Sequence, residues 1–191
     1  MAGGWPVGAS EIAKMRAHWR LVMAWQRRCN LTAVVDEEQA AWLHYGDSVR
    51  GLAHLQAGPI ADIGAGAGFP GLVLAICRPD WQFTLLEPRR RRASFLAWAA
   101  AELGLANVQV AAQRVEQAPP PAGFAHAVTR AALATPQWAA SALTWLVPGG
   151  TLVRYCGAEA AGWGGTPHGY RLDPPGGPPR IRRLEVLARA C

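Results

Sequence analysis

The chain has 191 residues, 51% hydrophobic and 17% charged, a balance that excludes a disordered chain and suits one globular domain with a sizeable core. Its formal charge is +6, with Lys14 the only lysine. GC-rich coding accounts for Arg in place of Lys but not for the positive excess, which favours an acidic partner, nucleic acid first.

In chain order, residues 10–28 read as an amphipathic helix, with Ser10 as N-cap and Ile12, Met15, Trp19 and Val22 on its apolar face. Asp36 to Glu38 open a second helical stretch that runs to about Leu55, and Gly58-Pro59 closes it. Strands and helices then alternate. Strands are expected at Pro59–Ile63, Gln82–Glu87, Val108–Ala112, Phe124–Val128 and Gly150–Tyr155. Helices are expected at Pro70–Cys77, Arg89–Leu103 and Thr135–Leu146, with Pro119-Pro120-Pro121 a loop. His168–Leu172 and Ile181–Ala188 suggest a final antiparallel pair. The expected fold class is α/β, a doubly wound, mostly parallel seven-stranded sheet. A single domain over 1–191 is expected, with a helical N-terminal cap over 1–57 and a Rossmann-like core over 58–191.

No apolar run reaches the length of a membrane span. Met1 to Ser10 has no basic stretch followed by an apolar one, so no export signal is expected and the cytoplasm is the expected compartment. Cys29, Cys77, Cys156 and Cys191 form no CxxC pair; reduced thiols, rather than a metal site, are expected.

The stretch Asp62-Ile63-Gly64-Ala65-Gly66-Ala67-Gly68-Phe69-Pro70-Gly71 follows a strand and opens a helix. Pro70 suits the first helical position, and the glycines let a ligand lie against the backbone. Two cofactors compete for this loop. Gly66-x-Gly68-x-x-Gly71 matches the dinucleotide fingerprint, whereas Asp62-x-Gly64-x-Gly66-x-Gly68 matches that of S-adenosylmethionine enzymes. Glu87, at the end of the next strand, could accept from ribose hydroxyls of either. The helical segment before the first strand favours S-adenosylmethionine, hence a class I methyltransferase fold.

The sequence resembles the RsmG (GidB) family, bacterial methyltransferases of a guanine N-7 in 16S ribosomal RNA. The resemblance rests on WQRRCNLT from Trp25 to Thr32, on His44-x-x-Asp47-Ser48, on DIGAGAGFPG from Asp62 to Gly71, on LLEPRRRRASFL from Leu85 to Leu96, and on Thr129-Arg130-Ala131. It runs from about Trp19 to Gly157 and implies cofactor contacts from Gly64, Gly66 and Phe69, from Val115-Glu116, and from Arg130. It implies S-adenosyl-L-methionine as cofactor and 16S rRNA or the small ribosomal subunit as partner; no metal is expected from the residue spacing, and a monomer is the default. Thr129 stands for the family's Ser, Ala132 for a Phe and Cys156 for a Lys, and the Gly157–Tyr170 stretch is short. Two other readings stay open: a nicotinamide-dependent oxidoreductase on the same loop, and a non-catalytic RNA-binding assembly factor with a vestigial cofactor site.

Guanine N-7 carries a lone pair at neutral pH, so methyl transfer to it needs no general base, and no catalytic acid/base residue is assigned. Arg130 is expected to fix the cofactor's carboxylate or steer the guanine edge. His44 and Asp47 are candidates for the site mouth. Asn30 and Thr32 are expected in a turn or cap. Arg89, Arg90, Arg91 and Arg92 crowd a positive helix N-terminus, an arrangement that an RNA phosphate would relieve. Arg180, Arg182 and Arg183 form a second basic patch. Trp5 and Trp163 are candidates for base stacking, while Trp19, Trp25, Trp98 and Trp145 fall at apolar helix positions.

Overall fold

The computed structural model describes residues 7–117, 122–130 and 135–190. The expectations on Trp5, on Pro119 to Pro121, on Ala131 and Ala132, and on Cys191 fall outside the described residues.

The sheet has seven strands: β1 (Pro59–Ile63), β2 (Gln82–Leu86), β3 (Val108–Ala111), β4 (Phe124–Thr129), β5 (Leu146–Gly157), β6 (Thr166–Leu172) and β7 (Arg180–Ala188). Their order is β3-β2-β1-β4-β5-β7-β6. β1 to β5 pair in parallel, and β7 is antiparallel to both β5 and β6. The strand order reverses between β1 and β4, the switch point at which open α/β sheets bind ligands beyond their carboxyl ends.

Side chains alternate across the sheet as a pleat requires. Ile60, Phe83, Leu85, Val128 and Val153 enter one apolar cluster, and Ala61, Ile63, Leu86, Ala127 and Leu152 enter the other. The first cluster is covered by α1 (Ala9–Cys29), α4 (Gly71–Cys77) and α5 (Arg90–Glu102), the second by α6 (Pro136–Thr144). Each fully buried Leu or Ile there, such as Leu72 or Ile60, contributes roughly 1.5–3 kcal/mol. Met15, Trp19 and Val22 of α1 belong to the same cluster as α4 and α5, so the first helix is part of the core.

Between α1 and β1 the chain forms α2 (Glu37–Ala40), a π-helical turn at Ala41–Gly46, α3 (Asp47–Val49) and a 3-10 turn at Arg50–His54. Asp36 caps α2 by accepting from the Gln39 N–H at 2.8 Å. Gly51 lies where a Cβ would overlap the Tyr155 hydroxyl, and that hydroxyl donates to the Ser48 carbonyl at 2.6 Å. A glycine here lets the helical stretch dock onto the end of β5.

Local expectations shift in four places. Gly8, not Ser10, is the N-cap of α1, because the Glu11 carboxylate reaches back to the Gly8 N–H at 2.9 Å. Pro70 precedes α4 instead of opening it. The second helical stretch is interrupted by the π turn, which hydrophobic spacing does not reveal. α6 stops at Thr144 and Leu146 already belongs to β5, since Phe124 N–H bonds to the Trp145 carbonyl and β4 pairs with β5 from Leu146 onward.

Candidate functional site

The glycine loop starts where β1 ends. Gly64, Gly66 and Gly68 have φ of 81°, 58° and 92°, a left-handed region that strains residues with a Cβ. The loop is hydrogen-bonded to the end of β2. Gly64 and Ala65 N–H donate to the Leu86 carbonyl at 2.8 and 3.1 Å. Gly66 N–H donates to Glu87 Oε2 at 3.1 Å, and Arg89 N–H to Glu87 Oε1 at 2.8 Å. Each carboxylate oxygen of the buried Glu87 keeps acceptor capacity for a ligand's hydroxyls. A Cβ on Gly66 would meet only the Gly64 carbonyl, at 3.8 Å, so this backbone has room beside it.

Asp62 lies beneath the loop, fully buried. Its Oδ2 accepts from Gly71 N–H at 2.8 Å, and its Oδ1 has no partner among the described residues. Burial pushes its carboxyl up to about 7, against the lowering effect of the Gly71 hydrogen bond. A Cβ on Gly71 would sit 2.5 Å from Asp62 Oδ2. The first amide of α4 is thereby taken by a carboxylate of the protein's own.

Four rings from the helical segments and the loop pack together. His18, with no exposed surface, donates from Nε2 to the Ala67 carbonyl at 2.9 Å. That fixes its tautomer and leaves Nδ1 to accept from the Tyr45 hydroxyl at 3.0 Å. Phe69 stacks on His44 at 4.6 Å and meets Tyr45 edge-on at 5.1 Å. Phe69, expected as a cofactor contact, is 5% exposed. Its ring forms the floor beneath the Arg130 guanidinium, 5.1 Å above it. Val115 is likewise a core residue at 4%, its carbonyl accepting from Trp145 Nε1 at 2.7 Å, whereas Glu116 is exposed at the turn after β3.

Beyond the ends of β4 and β5 lies a cleft of about 540 Å³, lined by Leu43, His44, Arg130, Arg154, Arg180 and Arg182 among others. Asp47, fully buried behind it, organises this wall. It accepts from Tyr170 at 2.6 Å and pairs with Arg130 and Arg182 at 3.3 Å each. Arg130 Nη1 also donates to the Leu43 carbonyl at 3.3 Å. Arg154 pairs with Glu185 at 3.0 Å and lies 3.8 Å over the Trp163 ring. His44 Nε2 bonds Thr32 Oγ1 at 2.8 Å. Burial first, then the Arg130 charge, hold its pKa down to about 3, so the imidazole is neutral at physiological pH. Asn30 takes the left-handed C-cap of α1, and Thr32 Oγ1 accepts from Val34 N–H, the structural roles expected of them.

The basic runs divide by exposure and contacts. Arg89 to Arg91 are exposed, while Arg92 donates to the Asn30 carbonyl at 2.9 Å and closes the C-terminus of α1. The contact brings exposed Arg27 and Arg28, in the last turn of α1, next to the Arg89–Arg91 run. On β7, Arg180 and Arg182 line the cleft, whereas Arg183 donates to the Ala160 carbonyl at 2.5 Å. Trp163, expected to stack on bases, is occupied by Arg154 and by Trp138 at 5.8 Å. The sequence signals do not single out four residues of this region: His18, Arg27, Arg28 and Arg154. His18 falls three residues after Met15 and four before Val22, a polar residue on an apolar face. Arg27 and Arg28 became relevant only through the α1–α5 junction, and Arg154 sits inside an apolar strand.

Among the described residues, no helix is long and apolar enough to cross a membrane, and no group of three or more His, Cys, Asp or Glu is placed to hold a metal.

A family model described as rRNA small subunit methyltransferase G (GidB) matches residues 11–162. A protein of Methylobacillus flagellatus named ribosomal RNA small subunit methyltransferase G is 44% identical over 128 residues, 67% of this chain and 62% of that protein. Its namesake from Nitrosospira multiformis is 40% identical, covering 67% of this chain and 59% of that one. The chain thus spans about three-fifths of the length of these relatives. Among solved structures, the N-methyltransferase NodS from Bradyrhizobium japonicum superposes with a TM-score of 0.57 at 15% identity, over 77% of this chain and 94% of that one. TehB from Haemophilus influenzae gives 0.53 at 12% identity, over 90% and 67%. At such identities the likeness concerns the fold, a class I methyltransferase sheet with its antiparallel last strand.

Proposed function

The chain belongs to the rRNA small subunit methyltransferase G family, and from that premise we propose that it uses S-adenosylmethionine to methylate N-7 of a guanine in 16S ribosomal RNA, as a free RNA or within the small subunit, in the cytoplasm. The single observation that carries the cofactor assignment is the bond between Gly71 N–H and Asp62. Dinucleotide sites place a pyrophosphate on the first amides of the helix after the loop. Here that amide faces a carboxylate, and the Leu72 and Leu74 amides bond to the Gly68 and Pro70 carbonyls. The arrangement suits a cofactor without phosphate.

S-adenosylmethionine supplies an electrophilic methyl group on a cationic sulfur. The residues that would hold it are Gly64 and Gly66 along the loop backbone, Glu87 for the ribose hydroxyls, the Val115-Glu116 turn for the base, and Arg130 toward the β4 side. The guanine nitrogen brings its own lone pair, so the chain has to align the two partners and exclude water. The wall residues fit that role. Asp47 is engaged by Tyr170, Arg130 and Arg182, and burial holds the His44 pKa down to about 3, which makes it a weak base at neutral pH. Exposed Arg27, Arg28, Arg89, Arg90 and Arg91 would meet the RNA backbone.

Calorimetric titration with S-adenosylhomocysteine and, separately, with NAD tests the cofactor. Saturable binding of the first without the second is expected; the opposite preference would replace the methyltransferase by an oxidoreductase.

A further inference from the structure

We propose that the cleft beyond β4 and β5 is a nucleotide pocket, in which Arg154, Arg180 and Arg182 take the phosphate of the guanosine to be methylated after it has left its stack. The inference rests on the RNA-methylation reading and adds to it a place and an anchor for the acceptor.

Four observations carry it. The cleft of about 540 Å³ falls within the roughly 300–1,000 Å³ typical of small-ligand sites. Among the described residues its lining contains four arginines and no carboxylate. The two carboxylates that pair with them, Asp47 and Glu185, are buried behind the wall and outnumbered two to one. The paired arginines are also only partly spent. The bonds of Arg130 come from Nη1, those of Arg154 from Nη1, and those of Arg182 from Nε and Nη2. Arg130 Nη2, Arg154 Nη2 and Arg182 Nη1 remain as donors among the described residues, and Arg180 is exposed. Guanidiniums held by buried carboxylates at one edge and with unspent N–H groups at the other are oriented anion receptors; of these, Arg154 is the most enclosed, at 9% exposed.

Position completes the case. Glu87 stands at the end of β2, on one side of the glycine loop, and the cleft stands beyond β4 and β5 on the other. A ligand on the loop and a nucleotide in the cleft would meet across the switch point. Leu43 and Val34 offer apolar wall to a base, and neutral His44 adds no charge. Extrusion of the base into such a pocket is how enzymes reach atoms hidden by stacking.

The test uses the full chain saturated with S-adenosylhomocysteine and reads the arginine side-chain NMR signals during titration with guanosine 5′-monophosphate, guanosine and inorganic phosphate. The expected result is saturable shifts of Arg154, Arg180 and Arg182 with the monophosphate, at least about tenfold weaker binding of guanosine and of phosphate, and unshifted Arg89 to Arg91. Arg180→Ala, a change at an exposed side chain, should weaken the monophosphate about fivefold and leave S-adenosylhomocysteine affinity unchanged. Absence of saturable shifts, equal shifts at Arg89 to Arg91, or phosphate binding as tightly as the nucleotide would overturn the pocket. So would loss of the three signals' response because S-adenosylhomocysteine has already saturated it. Failure of S-adenosylhomocysteine to bind at all would instead strike the cofactor assignment, whatever the nucleotide does.

Discussion

His18 donates its Nε2–H to the carbonyl oxygen of Ala67 at 2.9 Å, which ties the first helix to the middle of the glycine loop. The tie is buried at both ends, and Tyr45 completes it from the π turn. Replacing His18 with Leu keeps volume but leaves the Ala67 carbonyl and Tyr45 hydroxyl unpaired. A loss of about 2–4 kcal/mol is expected from two orphaned buried groups. Chemical denaturation reads the stability, and S-adenosylhomocysteine titration should show at least about tenfold weaker binding. Unchanged ligand affinity would mean that the loop holds its shape without the helix.

The same histidine predicts a pH dependence. Burial lowers His18 to about 4, against 6.5 for an ordinary histidine, and His44 behaves alike. The unfolded chain then binds more protons than the native one between those values. Stability from each group is full above pH 6.5 and is lost as pH falls toward 4, at up to about 1.4 kcal/mol per pH unit. Asp62 has the opposite sign. Its carboxyl is raised from 3.8 to about 7, so the native chain binds the extra proton, and its contribution is lost as pH rises from about 4 through 7. Asp62→Asn removes this opposing slope. Thermal unfolding of both proteins from pH 4 to 7 should show stability rising more steeply with pH in the variant; parallel curves would contradict a buried, raised Asp62.

Gly71 and Gly104 should separate packing from backbone strain. Gly71→Ala places a methyl group against Leu85 and Asp62 and should cost about 1–3 kcal/mol or more as an overpacked site, with loss of S-adenosylhomocysteine binding. Gly104, after α5, has φ of 62° and open space; alanine there should cost about 1 kcal/mol and leave binding intact. Both are measured by denaturation midpoint and titration. Equal costs would deny the close approach beneath the loop.

Much of this was legible before any fold was seen. β1, β2 and β4 are short apolar runs bounded by Gly, Pro or charge, so periodicity and punctuation located them, and the Asp62–Gly71 pattern marked the switch point. Glu87 stands out in the sequence as a lone acid ending an apolar strand, and in the fold it ties the loop through the Gly66 amide. The remainder depends on contacts distant in sequence. Nothing local distinguishes Arg182, which meets Asp47 across 135 residues, from Arg183, which turns away to Ala160. The same holds for Phe69, whose packing among the rings of His18, His44 and Tyr45 has no local signal in the glycine loop. The π turn also leaves no periodic trace over six residues.

Asp47 is the hub of the cleft wall, and Asp47→Ala should be severe. It strands Arg130, Arg182 and the Tyr170 hydroxyl around a buried hole. Removing one partner of a buried ion pair typically costs about 3–5 kcal/mol, so a loss in that range by urea denaturation is expected. A change below about 1 kcal/mol would show that water replaces the carboxylate.

Charge reversal at the α1–α5 junction tests the RNA surface. Arg90→Glu with Arg91→Glu should weaken binding to 16S rRNA and flatten its salt dependence by up to about two phosphate contacts, roughly 0.7–0.9 in log–log slope for each. S-adenosylhomocysteine affinity should not move. An unchanged salt slope would place the RNA elsewhere on the protein.

The most direct measurement of the central claim is methyl transfer itself. The protein is incubated with methyl-labelled S-adenosylmethionine and small ribosomal subunits that lack N-7 methylation, and the RNA is digested to nucleosides. Label in 7-methylguanosine is the predicted result. Label absent from that nucleoside, with S-adenosylhomocysteine binding intact, would contradict guanine N-7 methylation by this chain.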